Sequence, residues 1–539
     1  MTALSTAHIS ASDVQALESG LPRMSSWSDS LLVPFEVRQL QQASVLWLNE
    51  RWFRERGLDV GESIVRCRID RWLIENFAWA APRREDPPTA YGSRTRTWYA
   101  DRYGSSDGRS LHGGSGRAAV VGCFQAKGIG VTPLASGGSD WGHSHGCCSI
   151  EELLREAIYA EVCGVEFPHG AVPVIAVLET ALQFTEGRPS APDGVVMRRG
   201  IMVRPAVIRP AHAERAPCFR RSQQAFVNRQ PEDVQRTRDI VRRWSSSDRD
   251  NNGENRDSVL FDLVRRVAQQ VAFGQVHRLF NGGYFSSNLT IDGCLLDFGA
   301  ARALPNWAYA QTIDHALGFG REMTIVDRMI ESLAFHFKKY ADPAAVVSAE
   351  ALRAAAAMAY DTTFQRECLE LWGLEDQDDP ILIEGVVAPL RAYFRTQQRI
   401  HNNYRHLLVH AQGWLYDGLD EQCKHLPDSD RPEGVTLRAI DAALTTCFGS
   451  DGTGTVRHKR AWIRAGARLR PRQLLYREPL QDRIEKVLVL HGSDVPTCRE
   501  AITALVRDTV AGSLRRSCDQ PDDSNTQECG DAHVMGAMQ

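Results

Sequence analysis

The sequence predicts an α+β fold, with strands concentrated in the first half of the chain and helices in the second. Three observations carry this reading. β-prone runs cluster between residues 118 and 209; a well-capped helix stands among them; and from about residue 308 the apolar spacing is mostly helical. A chain of 539 residues is long enough for two or three packing units around a sizeable core. Its 43% hydrophobic and 24% charged residues are those of a globular protein. A net charge of -4 gives no global basic field, so neither nucleic acid nor an anionic membrane is expected as a partner. The polar start MTALSTAHIS lacks a secretory pattern, and no apolar run reaches the roughly 18 residues needed to span a bilayer. The expectation is a soluble, cytoplasmic protein. The 13 cysteines are scattered and include no CxxC, so free thiols are expected rather than a zinc site.

Taken in order, residues 1–30 are Ser-rich and read as a flexible N-terminus. Between Val33 and Trp79, Val45, Leu48 and Trp52 recur at helical spacing, which predicts packed helices. Residues 81–118 are rich in Gly, Arg, Ser and Pro and read as loop. The run 118–127 (AAVVGCFQAK) predicts one strand ending on Lys127. Residues 149–163 predict a helix, with Ser149 as N-cap and Glu152 at capping-box spacing. Two β-prone runs follow, VPVIAVLET and GIMVRPAVIRP. Residues 216–257 read as a polar linker or insert. A long amphipathic helix is predicted over about 258–280, then a hairpin, NLTIDGCLLDFG, turning at Asp292-Gly293. The pattern stays mainly helical to about 512, and 513–539 read as a disordered tail. This is the layout of a two-lobed protein-kinase-like fold: an N-lobe over 31–215, a C-lobe over 258–512, and ATP between them.

Four constellations bear chemistry. Gly113-Gly114-Ser115-Gly116-Arg117 precedes the Lys127 strand; glycines let backbone N–H groups approach phosphate and Arg117 adds a bidentate cation, although such a stretch also reads as a plain turn. Lys127 and Glu152 read as a phosphate lysine with its helical glutamate partner, or as an exposed strand end and a self-capping helix. Asn288 and Asp297 flank the short hairpin, which would let an amide oxygen and a carboxylate converge on one hard cation, Mg²⁺ or Mn²⁺, although a DFG tripeptide alone is common by chance. Arg204, Arg209, His212 and Arg215 read as phosphate-neutralising arginines or as a solvated basic loop.

Together GGSGRAAVVG, FQAKGIGVTPL, SIEELL, RPAHAER and the SSN…LLDFG hairpin resemble the selenoprotein O family of protein adenylyltransferases over roughly residues 99–301. The resemblance implies a kinase-like fold with ATP bound inverted, so that AMP passes to a protein or peptide acceptor. It implies that Gly114, Gly116 and Arg117 form the nucleotide loop, and that Lys127 is the phosphate lysine with Glu152 as its partner. It further implies nucleotide contacts from Asp140, Arg209 and Arg215, and metal ligation by Asn288 and Asp297. Two departures stand out. Ser287 replaces the aspartate that the family places before its metal-binding asparagine, and the insert 142–148 (GHSHGCC) brings His143 and His145 beside Cys147 and Cys148 as a surface loop or a metal-binding group. These changes are similar to those of a divergent branch resembling proteins that mature siderophore-linked microcins. The resulting expectation is AMP transfer to a hydroxyl, or to a carboxylate activated as an acyl-adenylate. Ordinary phosphotransfer and a non-catalytic nucleotide-binding scaffold are the alternatives.

Overall fold

A computed structural model gives the structure of the chain and describes residues 8–106, 108, 110–136, 145–188, 191–219, 231–246, 258–307, 319–374, 379–397, 430–492 and 494–515. It is a mixed α+β protein built on one large antiparallel sheet and a mainly helical second half.

The N-terminal stretch carries helix α1 (Ala11–Glu18), started by a reciprocal cap between Ser10 and Asp13. The region expected to be helical begins instead with strands β1 (Leu32–Leu40) and β2 (Ala43–Leu48). Val45 and Leu48 therefore lie in a strand, and only Trp52 falls in a helix, α2 (Glu50–Arg54), followed by α3 (Ser63–Phe77). The apolar spacing 45–48–52 is shared by the end of a buried strand and the helix after it, so periodicity alone could not separate them. After the short β3 (Trp79–Ala80), the stretch read as loop contains the 11-residue strand β4 (Tyr91–Asp101), paired to β1 along most of its length. Pro34 is tolerated in β1 because β3 pairs only at Arg38 and Gln39, which leaves the Pro34 edge uncovered by β3.

The expected single strand over 118–127 is a tight hairpin, β5 (Ala118–Val121) and β6 (Phe124–Lys127), turning at Gly122 with φ of 62°. The short β7 (Cys148–Ser149) leads into helix α4 (Ile150–Glu166), and the long ribbon β8 (Ala176–Arg188) and β9 (Ala191–Pro205) follows. The sheet order is β2-β8-β9-β6-β5-β4-β1-β3, with β7 also pairing β9. One core joins this sheet to α2 and α3 through Trp52, Phe53, Trp72, Phe77 and Phe124.

The stretch expected as a linker holds α5 (Pro231–Ser245), whose Trp244 and Arg236 are buried. Next come α6 (Val259–Val276), capped by Ser258, the two-residue strands β10 (Leu279–Phe280) and β11 (Arg302–Ala303), α7 (Glu322–Tyr340) and α8 (Ala349–Glu370). Helix α9 spans 380–397 and contains a π-helical turn at Ile383–Val387; α10 (Pro432–Phe448), α11 (Gly452–Leu469), α12 (Arg477–His491) and α13 (Val495–Ser513) are the last helices among the described residues. Helix α4 is central. It is buried on nearly every side, and the core containing it includes residues of α6, α7, α8, α12 and α13. Helix α13 returns to the sheet, where Arg499 donates to the Val45 carbonyl at 2.7 Å and pairs with Asp70 at 2.7 Å. The last helices thus brace the first half of the chain.

Candidate functional site

Lys127 ends β6, opposite Ala118 on one side and Met202 on the other. The chain leaves the strand at once, because Gly128 has φ of 95° and any Cβ there would meet the Gly200 carbonyl at 2.5 Å. The Lys127 side chain is buried, with Nζ 2.5 Å from Glu156 and 2.6 Å from Asp297. The helical partner expected at Glu152 is therefore Glu156, one turn further along α4. Helix α4 starts at Ile150, capped by Ser149 accepting from the Glu152 amide at 3.1 Å, so residue 152 lies in the first turn beside the glycine-containing loop. There Glu152 pairs with Arg117 at 2.8 Å, and Arg117 also donates to the Cys147 carbonyl at 3.3 Å.

The turn at Asp292-Gly293 forms as the sequence suggests, but its arms meet through the single Leu289–Leu295 bridge and are not two short strands. Thr290 donates to the Cys294 carbonyl at 3.0 Å, Gly293 turns back with φ of 78°, and Leu296 donates to the Asn288 carbonyl at 3.0 Å. This pairing sets Asp297 immediately beyond the residue facing Asn288. Asp297 has φ of 65°, a left-handed conformation unusual outside glycine. Its side chain is 31% exposed, whereas those of Lys127 and Glu156 are closed off. The Asn288 side-chain oxygen accepts from the Ser287 hydroxyl at 3.2 Å.

Electrostatics divide these carboxyls. Burial alone would raise Asp297, but Lys127, Arg204 and Arg117 outweigh it and hold the group far below the usual carboxylate range. Glu152 is likewise lowered to about 2, with Arg117 and Lys127 overcoming burial. Glu156 shifts the other way: burial raises it, Lys127 opposes, and the nearby Asp297 and Glu152 charges add to the rise. Burial disfavours the Lys127 ammonium, yet Asp297 and Glu156 more than compensate and raise it. Lys127 thus stays charged beside one firmly ionised carboxylate and one that holds its proton more readily.

Behind this group lies a second, fully buried network. Arg204 faces Gln125 across the β6–β9 register and donates to its side-chain oxygen from Nε at 2.9 Å and Nη2 at 2.7 Å. Arg209 reaches the same oxygen at 3.2 Å and the Ser287 carbonyl at 2.8 Å, and lies 5.1 Å over the Tyr103 ring. Arg215 is not brought here: its guanidinium pairs at 2.5 Å with Asp233 on α5. Gly114 does adopt a glycine-only conformation, φ 150°, but the atom it makes room for is the Asp101 carbonyl of its own chain, 2.0 Å from a would-be Cβ. Gly116 accepts from Thr132 at 3.0 Å in the same loop. Asp140 and His143 lie outside the described residues. His145 accepts from the Cys147 amide at 3.0 Å, and among the described residues no group of three or more His, Cys, Asp or Glu is arranged to hold a metal ion. A cavity of about 390 Å³ is lined by Arg23, Ser28, Asp29, Tyr99 and Val120, none of them a member of this group, although Val120 faces Gln125 in the β5–β6 register.

Sequence reasoning missed Glu156, Gln125 and Asp101. Glu156 stands four residues after Glu152, hence on the same helix face, and Gln125 stands two before Lys127, hence on the same face of the strand. Both offsets were readable. Asp101 gave no local signal, because only the β4 pairing carries it to the site. No helix of the described residues is long and apolar enough to cross a membrane. No protein-family model matches the chain, and no curated protein matches it in sequence.

Proposed function

We propose that the chain binds Mg-ATP between its sheet and its helical half, in a two-lobed protein-kinase-like arrangement, and transfers AMP to a protein or peptide acceptor. The observation that carries this reading is the 2.6 Å contact between Lys127 and Asp297, which joins the end of a strand to the end of the metal-type hairpin. A strand lysine held by a helical glutamate and set beside a hairpin aspartate is the constellation that positions and neutralises a phosphate chain. Asn288 and Asp297 offer the oxygen donors that Mg²⁺ or Mn²⁺ prefers. Their fit rests on donor chemistry: Asp297 is kept ionised by its cationic neighbours and is the one partly open carboxylate of the triad. When bound, the cation supplies charge neutralisation at the phosphates.

The chain's own residues divide the remaining work. Glu156 holds Lys127, Glu152 holds Arg117, and Arg204 and Arg209 bring two buried positive charges toward the same cluster. Cations placed beforehand in a dry site stabilise charge that develops during transfer without reorganising. The choice of AMP over phosphate follows the resemblance to the selenoprotein O family, as does the protein or peptide acceptor. ATP labelled separately at the α and γ phosphates tests it: label should reach an acceptor from the α position, and transfer from the γ position alone overturns AMP transfer in favour of a kinase.

One observation favours a non-catalytic reading. Ser287 stands where the selenoprotein O family has an aspartate, so no carboxylate is there to act as a base; its hydroxyl donates to Asn288 and its carbonyl accepts from Arg209. ATP binding without transfer of either label is the outcome that reading requires.

A further inference from the structure

Arg204 and Arg209 are 3% and 2% exposed, and both donate to one neutral oxygen. Among the described residues neither has a carboxylate at ion-pair distance, and Arg209 Nε has no hydrogen-bond partner. Two like charges side by side in a dry site are costly unless something answers them. Accordingly, burial and then the neighbouring Arg209 lower the affinity of Arg204 for its proton.

What holds the pair together is Gln125, and what orients Gln125 is Asp101. The amide nitrogen of Gln125 donates to Asp101 Oδ1 at 3.3 Å, which turns the amide oxygen toward both guanidiniums. Asp101 is fully buried and also accepts from Ser115 and, at 3.1 Å, from His212 Nε2. His212 Nδ1 accepts from the Arg209 amide at 2.9 Å, which puts the ring proton on Nε2 for Asp101. Asp101 is an acceptor only, so the amide has one orientation. The carboxylate charge is thereby held one residue away from the arginines instead of against them.

We propose that Gln125, oriented by Asp101, is the residue that fixes the ligand class of this end of the site: a neutral bridge that aligns Arg204 and Arg209 and leaves their charge free for a doubly negative phosphate group, such as the pyrophosphate part of a nucleotide. This rests on the nucleotide reading above. A carboxylate at position 125 would accept from both arginines and neutralise the pair internally, but it could not donate to Asp101, so the side chain there decides between a filled ion-pair network and an anion receptor.

The test is a charge swap, Asp101→Asn with Gln125→Glu. It conserves net charge and keeps the same groups paired, with the new amide at 101 donating to the new carboxylate at 125 and the Ser115 hydroxyl turning to accept. It moves the negative charge into direct contact with both arginines. Inorganic pyrophosphate and Mg-ATP serve as probes in calorimetry, alongside the thermal midpoint. The expected result is a folded variant, melting at or above wild type, that binds pyrophosphate at least about tenfold more weakly. A swap that binds pyrophosphate as wild type does, or that fails to fold, overturns the proposal. If wild type itself binds neither probe, the nucleotide reading fails with it; if wild type binds and the swap binds equally, only the role of Gln125 falls.

Discussion

Lys127 and Asp297, 170 residues apart in sequence, meet at 2.6 Å, and the oxygen that Lys127 occupies belongs to the carboxylate expected to hold a metal ion. A cation arriving without nucleotide must compete with an ammonium already in place. Arriving with nucleotide, it comes with phosphate oxygens that can take Lys127 in exchange. Metal and nucleotide should therefore bind with positive coupling. Lys127→Met should bind Mn²⁺ alone about tenfold more tightly than wild type, because a positive charge next to Asp297 is gone, yet bind ATP about tenfold or more weakly. Electron paramagnetic titration of Mn²⁺, with and without ATP, reads both effects. Unchanged Mn²⁺ affinity in the variant would show that Lys127 does not guard the carboxylate.

The two glutamates of α4 should separate by function as they do in contacts. Glu156→Gln removes one of the two carboxylates at Lys127, and Glu152→Gln removes the partner of Arg117, which keeps the Cys147 carbonyl. ATP affinity should fall about tenfold for Glu156→Gln and by less than about threefold for Glu152→Gln. Calorimetry on both variants checks the order. The reverse order would return the lysine-holding role to Glu152.

That pair of residues also shows where the sequence stopped being readable. The start of α4 was legible because its cap is local, Ser149 answering the Glu152 amide. Which glutamate meets Lys127 depends on the rotation of α4 against the sheet, a tertiary quantity that no spacing rule contains. Asn288 and Asp297 were legible because a turn at Gly293 and one backbone bond, Leu296 to Asn288, bring them together within ten residues. Strand β4 was hidden for a different reason. Much of it faces solvent, so it lacks an apolar alternation, and it is held by its ladder to β1. Helix α5 was hidden because its apolar Ile240, Val241 and Trp244 are set among arginines, one of which, Arg236, is itself buried against Asp233 and the His212 carbonyl.

Ser287 offers a gain-of-function test. Its neighbours are the metal-type Asn288 and, through its carbonyl, Arg209, so a carboxylate introduced there would sit beside the proposed reacting phosphate. If AMP transfer occurs and a missing base limits it, Ser287→Asp should raise α-label transfer by about 10²-fold, the usual contribution of a positioned general base, with little change in ATP affinity. Single-turnover labelling measures the rate. A variant that binds ATP normally and transfers no faster would show that proton removal is not the limiting step.

Away from the site, Glu322 makes the fold itself sensitive to pH. It opens α7, is 2% exposed, and accepts from Gln275 at 2.7 Å and the Gly320 amide at 2.8 Å. Burial pushes its carboxyl from 4.5 up to about 7, and those hydrogen bonds only partly offset the rise. Between these values the folded chain holds a proton that the unfolded chain has released, so stability falls as pH climbs from about 4.5 through 7. Above pH 7 the ionised carboxylate is buried and the loss is complete. Glu322→Gln keeps an acceptor for Gln275 and Gly320 but cannot ionise. Its unfolding free energy should match that of wild type near pH 5 and exceed it near pH 8 by on the order of 2–3 kcal/mol. Urea titrations at the two pH values measure the difference. A variant whose advantage is the same at both would mean that Glu322 keeps its ordinary acidity, and that water reaches the start of α7.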